Sequence, residues 1–271
     1  MGGKASDSRP VVLTIAGLDP SGGAGIVADI KTIAALGCFP TAALTSITFQ
    51  NTSGVFGALH QSGATVRAQV EPILEDFNIT AVKTGMLPTK EIVDEVVRLC
   101  RKTKLPAPVV DPVMCSTTGQ ALIDDDAFNA VQMELLPLAC VITPNIPEAE
   151  RLVGFSITKE ADMRRAAEEI QALGARAVLI KGGHLGSRLQ DPGEPREAID
   201  VLLDEAGKFT VFREQFVDVG EVHGSGCTLS AAIAACLAKQ MNLAEAVGAA
   251  KSFVTEAIRA APRLGHGVRP L

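Results

Sequence analysis

The chain has 271 residues, 47% of them hydrophobic and 21% charged, enough apolar material for a large core and too much for a disordered or fibrous protein. Its net charge is −6 with no compensating basic run, which removes most of the electrostatic drive toward nucleic acid or an anionic membrane and favours small-molecule work. Trp and Tyr are absent and Phe numbers only 10, so no aromatic cage or stacking platform can be assembled. The uncharged stretch Thr32 to Leu59 is broken by Thr, Ser, Gln, Asn, Pro and Gly and does not read as a membrane span. The opening MGGKASDSRP is polar where a signal peptide needs an apolar core, so a cytoplasmic location is expected. Cys38, Cys100, Cys115, Cys140, Cys227 and Cys236 show no C-x-x-C spacing and no partnered His; most read as buried thiols, and the set not as a zinc site or disulfide framework.

In chain order, short apolar or β-branched runs predict buried strands at Val11 to Ala16, Ile79 to Thr84, Ala107 to Asp111, Cys140 to Thr143 and Ala177 to Lys181. Between them lie helical patterns, IVADIKTIAAL, EIVDEVVRLC and DMRRAAEEIQALG, the last with Gly174 as a stop signal. That alternation implies an α/β fold with mostly parallel strands and helices on both faces. From Gly186 to Asp218 the character changes: GSRLQDPGEPRE reads as an exposed loop, and the residues after it as a hairpin turning at Glu205 to Lys208, placed at the sheet edge. Two Ala-rich helices, Ser225 to Lys239 and Leu243 to Ala261, precede a loose Gly/Pro tail. With no repeat and no low-complexity linker, residues 11–271 are expected to form one domain after a flexible segment of residues 1–10.

Four segments exceed what a fold alone requires, and each follows a predicted strand, the ligand side of an open α/β sheet. In AGLDPSGGAGIVADIK, Gly22, Gly23 and Gly25 open a helix whose amides can approach a ligand; a tight turn explains them as well, and no Gly-Lys-Ser/Thr makes it a Walker loop. In VVDPVMCSTTG a strand ends in Asp111 before a hydroxyl-rich loop, so the carboxylate can hold a metal-bound water, or simply cap a turn. In TPNIPEAE, Asn145 and Glu148 stand three apart at a helix start, a spacing that suits Mg²⁺ with its water shell and equally a helix capping box. In VHGSGCTLSAAIAACLA the free amides of Gly224, Ser225, Gly226 and Cys227 form an anion hole at a helix N-terminus, where a thiol should become acidic; a closely packed helix of small residues with an inert Cys is the alternative.

Taken together, GLDPSGGAGIVADIKT, FQNTSGV, VKTGMLP, VVDPVM, ITPNIPEAE, VLIKGGH and HGSGCTLSAAIAA, in this order, resemble the hydroxymethylpyrimidine/phosphomethylpyrimidine kinases of thiamine biosynthesis. These belong to the ribokinase-like superfamily, a three-layer α/β fold, and the resemblance covers roughly residues 11–268. It implies an ATP-dependent phosphotransferase acting on 4-amino-5-hydroxymethyl-2-methylpyrimidine and its monophosphate, with Mg²⁺, as a homodimer; pyridoxal or pyridoxine kinase of the same subgroup is the alternative. Gly17 and Asp19, with Asp29 on the helix behind them, match positions lining or supporting the pyrimidine pocket. Gln50 falls where the family reads the ring amino group and nitrogen, and Met86 and Val113 form apolar walls. Asn145 and Lys181, Gly182, Gly183 and His184 match the nucleotide phosphate region with Asp111, Glu148 the Mg²⁺ position, and Gly224, Ser225, Gly226 and Cys227 the anion hole and catalytic position. Three positions depart from the family pattern: Leu18 stands for Ser or Thr, Thr117 for a phosphate-contacting Lys, and Glu221-Val222 for Asn-Thr. A binding protein without catalysis would lose Glu148, Lys181 or the G-x-G-C turn, and all are present.

Overall fold

A computed structural model describes residues 8–116, 119–183 and 196–271. The elements run β1 (Val11–Leu18), α1 (Gly25–Ala35), β2 (Phe39–Asn51), β3 (Gly54–His60), α2 (Gly63–Asp76), β4 (Ile79–Thr84), α3 (Lys90–Lys102), β5 (Val109–Val110) and α4 (Asp125–Ala130). There follow β6 (Val141–Ile142), α5 (Ile146–Val153), α6 (Glu160–Ala172), β7 (Val178–Lys181), β8 (Glu197–Leu203), β9 (Phe209–Gln215), β10 (Val222–His223), α7 (Ser225–Ala238), α8 (Leu243–Arg259) and β11 (Arg269–Pro270). Nine strands form one sheet in the order β3-β2-β1-β4-β5-β6-β7-β8-β9. β2, β1 and β4 through β7 are parallel, and β3 and β8 pair antiparallel at either side of that block.

The strand alternation sends side chains into two helical layers. Leu13, Ile15, Val110, Ile142, Val178 and Ile180 pack with the buried faces of α2 through α6, while Val12, Val109, Val141 and Leu179 pack with Ile33 of α1 and with α7 and α8. This is the expected sandwich with helices on both faces. α7 is buried along most of its length because SGCTLSAAIAACLA is made of small residues, which let it lie close to the sheet and to α8 at once. The hairpin expected around Glu205 to Lys208 is β8–β9, and it forms the sheet edge. The exposed loop expected before it, GSRLQDPGEPRE, lies outside the described residues up to Pro195, as do residues 1–7 of the N-terminal segment; Pro10 is held, its carbonyl accepting from Phe39 N at 2.8 Å.

Two features differ from expectation. β2 and β3 escape the sequence reading because the buried face of β2 is carried by Thr41, Ala43 and Thr45 instead of Val, Ile or Leu. The C-terminal segment is not a loose tail. Arg269 N donates to Glu221 O at 3.0 Å, Leu271 N to His223 O at 3.3 Å and Val268 N to Thr52 O at 2.9 Å, so β11 pairs with β10 and straps the β2–β3 turn to the strand before α7. No helix among the described residues is long and apolar enough to cross a membrane.

Candidate active site

A cavity of about 540 Å³ opens where β1, β4, β5, β6 and β7 end at their carboxyl sides. Of the residues expected in the site, Gly17, Asp19, Gln50, Met86, Val113, Asp111, Asn145, Glu148, Lys181, Gly182, Gly183 and Gly224 through Cys227 all line it. His184 and Thr117 lie outside the described residues. Asp29 is brought near but does not reach the cavity: it is fully buried, accepts from Thr14 Oγ1 at 2.5 Å and pairs with Lys83 Nζ at 2.9 Å. Of the two places the resemblance allows it, lining or supporting the pocket, Asp29 takes the supporting one, through the Lys83 ammonium at the cavity floor.

The first glycine turn and the turn before α7 pack against each other. A Cβ on Gly224 would stand 1.8 Å from Gly23 O, at a φ of +92°. A Cβ on Gly25, at φ +55°, would stand 2.3 Å from Gly17 O. Backbone-to-backbone approach thus demands these glycines before any ligand arrives. Asp19 organises the first turn, accepting from Ser21 N, Ser21 Oγ, Gly23 N and Ala24 N at 2.8, 2.7, 3.1 and 2.9 Å. Burial alone would raise its pKa, but the hydrogen bonds from His223 and Ser21 outweigh it and hold the carboxyl at about 2.

On the opposite wall, Lys181 Nζ meets Asp111 Oδ1 at 3.0 Å, and Thr143 Oγ1 and Ser230 Oγ donate to the same carboxylate at 3.4 and 3.3 Å. Burial disfavours the Asp111 charge, yet Lys181 and Lys83 keep its pKa below the ordinary range. A Cβ on Gly226 would stand 3.1 Å from Lys181 Nζ, which puts the ammonium against the α7 turn. Asn145 and Glu148 form the capping box of α5: Asn145 Oδ1 accepts from Glu148 N at 2.9 Å and Glu148 Oε2 from Asn145 N at 2.8 Å. The cap does not exhaust Glu148. Among the described residues its Oε1 has only a long contact from Met114 N at 3.4 Å, and burial, with Asp111 adding to it, lifts the pKa to about 7 despite Lys181. Two buried carboxylates facing one cavity are an oxygen donor set that fits Mg²⁺ bound through water, and a cation there would relieve the strain on Glu148.

Cys227 requires a correction. At the α7 N-terminus its thiol is expected to be acidic, but burial pushes it up to about 12, with Asp111 and Asp29 adding to burial and Lys83 and the Gly25 N–H pulling the other way. Desolvation and two nearby carboxylates outweigh the helix terminus. Lys83, Thr48 and His223 also line the cavity, although no motif in the sequence marks them as site residues. Lys83 carried a signal, a lysine inside the apolar run ITAVKT of a central strand, where a charge survives only when paired. His223 Nε2 lies 3.1 Å from Asp19 Oδ2 and 3.2 Å from Gln50 Nε2, and nothing local in sequence links those three positions.

The family model described as phosphomethylpyrimidine kinase matches residues 19–271. The chain belongs to that family. The hydroxymethylpyrimidine/phosphomethylpyrimidine kinase of Streptomyces coelicolor is 44% identical over 262 residues, 97% of this chain and 93% of the relative. The crystal structure of phosphomethylpyrimidine kinase from Clostridium difficile is 42% identical with a TM-score of 0.79, covering 92% of this chain and 100% of that one. An ADP complex of Bacillus subtilis pyridoxal kinase is 38% identical with a TM-score of 0.86, covering 97% and 96%. The fold is therefore the three-layer ribokinase-like one, and family membership makes the chain a phosphotransferase.

Proposed function

We propose that this kinase transfers the γ-phosphoryl group of ATP to 4-amino-5-hydroxymethyl-2-methylpyrimidine and then to its monophosphate, supplying the pyrimidine diphosphate used for thiamine assembly. The carrying observation is one cavity that holds Gln50, a side-chain amide able to donate and accept, together with the Gly224–Cys227 amides and the Lys181 ammonium. In the reading we give it, Gln50 meets the amino group and ring nitrogen, Met86 and Val113 pack on the ring, and the hydroxymethyl oxygen points to the α7 turn. That oxygen forms a bond to the γ-phosphorus as the bond to the β,γ-bridging oxygen breaks, ADP leaves, and the hydroxyl proton passes to an oxygen of the transferred phosphoryl group and from there to water. Charge spread over the transferring group is met by the backbone N–H groups of the turn and by Lys181. Cys227, kept as a thiol by its burial, orients the attacking hydroxyl instead of removing its proton as a thiolate. Mg²⁺, when bound with ATP, supplies charge neutralisation at the phosphates, and Glu148 and Asp111 are the residues that would hold its water shell.

Pyridoxal is the second substrate to weigh, because the Bacillus subtilis pyridoxal kinase matches this fold at a TM-score of 0.86. Turnover assays with the pyrimidine, its monophosphate and pyridoxal, side by side with ATP, decide the matter. Turnover confined to pyridoxal would overturn the proposed substrate. A homodimer is part of the proposal, supported by the edge strand β3, where Phe56 and Leu59 are 71% and 57% exposed beside Phe49 of β2 at 54%. A cytoplasmic location is also part of it, supported by six cysteines that all remain free thiols.

A further inference from the structure

Gln50 has two partners inside the protein, and proton accounting decides which end of its amide faces which. The Thr48 hydroxyl lies 2.9 Å from Leu18 O and 3.0 Å from the Gln50 amide, and it has a single proton. Gln50 presents Oε1 to that hydroxyl, so two carbonyl oxygens compete for one proton; the shorter contact, to Leu18 O, takes it and leaves only a lone pair toward Gln50. On the other side, His223 Nε2 is shared between Asp19 Oδ2 at 3.1 Å and Gln50 at 3.2 Å. An ionised Asp19 has no proton to give, so Nε2 carries the hydrogen, and a second N–H aimed at it from Gln50 would set donor against donor. Rotating the amide by 180° removes both conflicts: Gln50 Nε2 then donates to Thr48 Oγ1, and Gln50 Oε1 becomes a second acceptor for the one His223 Nε2–H, shared with Asp19 Oδ2 as a three-centre hydrogen bond. Against burial, the hydrogen bonds from His223 and Ser21 hold Asp19 ionised at about 2.

We propose that His223 and Thr48 are positioning residues that lock the Gln50 amide in this one orientation, leaving one N–H and one carbonyl lone pair as a fixed donor and acceptor for an aminopyrimidine edge. An amide free to rotate would present either polarity and discriminate poorly. His223 is itself held from outside the cavity, since it lies in β10, paired with β11, and Leu271 N donates to its carbonyl at 3.3 Å. The inference rests on the proposed pyrimidine substrate.

The test separates the two. Gln50→Leu is expected to raise KM for the pyrimidine about tenfold or more while leaving KM for ATP unchanged, and an unchanged pyrimidine KM would remove Gln50 from recognition altogether. Thr48→Val, which keeps shape and loses the hydroxyl, is expected to raise pyrimidine KM about fivefold, and Thr48→Ser to restore it. His223→Ala is expected to do the same, and His223→Gln, whose amide still donates, to recover part of the loss. A role through Gln50 requires that Thr48→Val and His223→Ala add nothing to pyrimidine KM in a Gln50→Leu background. Additive effects in that background, or a Gln50→Leu defect with both partner variants at wild-type KM, would overturn the locking while leaving the substrate reading intact.

Discussion

At the scale of single residues, burial changes the chemistry that position alone would assign. Cys227 and Cys115 line the same cavity, but only Cys115 is exposed, and the Cys227 thiol is pushed up to about 12. Iodoacetamide at pH 7.5 followed by peptide mapping should therefore label Cys115 first and leave Cys227 slow. Rapid labelling of Cys227 that ATP suppresses would restore the acidic thiolate. Glu148 carries the opposite kind of perturbation for a carboxyl, with a folded pKa of about 7 against an ordinary 4.5. Between those two values the folded protein binds more protons than the unfolded chain, so stability is full below about pH 4.5 and falls as pH rises toward 7. Glu148→Gln, which keeps the N3 capping geometry, should flatten the fall in Tm between pH 5 and 8. If Glu148 also serves the metal, the same variant should lower kcat about tenfold or more and raise the Mg²⁺ needed for half activity. A flattened Tm profile with unchanged Mg²⁺ dependence would confine Glu148 to the capping box.

At the scale of elements, the strands with strong apolar runs were legible in the sequence within a residue or two. β1, β4 and β7, and the helices α1, α3 and α6, lie where periodicity puts them. β2 was not, because Thr and Ala on its buried face give no hydrophobic alternation, and β11 was not, because Arg269–Pro270 is only two residues, one of them a proline, too few to read as a strand. The glycine turns were read for ligand approach, whereas the structure adds a packing reason. Gly224→Ala should be severe, since its Cβ would overlap Gly23 O. Gly220→Ala, at a φ of +83° with nothing within 4 Å, should cost only about 1 kcal/mol of backbone strain. Comparable losses of Tm for the two would show that the contact between the turns is not tight. The β3 edge supplies a third comparison. Phe56→Asp should shift the protein from dimer to monomer in size-exclusion chromatography with little change in Tm, and a wild-type chain that already elutes as a monomer would sink the dimer proposal.

At the scale of the whole molecule, the residues that line the cavity were legible because each of their segments follows a strand and carries its own short signature. Their electrostatic connections were not, because they join residues far apart in sequence. Asp29 and Lys83 are 54 positions apart, Asp111 and Lys181 are 70, and Asp19 and His223 are 204. The Asp29–Lys83 pair shows the cost of that invisibility best. Both side chains are 0% exposed and tie α1 to β4 beneath the α7 turn. Burial alone would pull the Lys83 ammonium down, but the Asp29 carboxylate, with Cys227 and Asp111 adding to it, more than offsets burial, so the lysine stays charged. Removing either partner strands a charge in the core, and Asp29→Asn or Lys83→Met should each destabilise by about 3 to 5 kcal/mol in urea unfolding. The double variant Asp29→Asn/Lys83→Met leaves no uncompensated charge and should recover most of that stability. What it should not recover is turnover, because the cation beneath Cys227 and Asp111 is gone while the cavity walls remain. A double variant that regains both stability and kcat would reduce the pair to structure, and one that regains neither would mean that its packing, not its charge, holds α1 to the sheet.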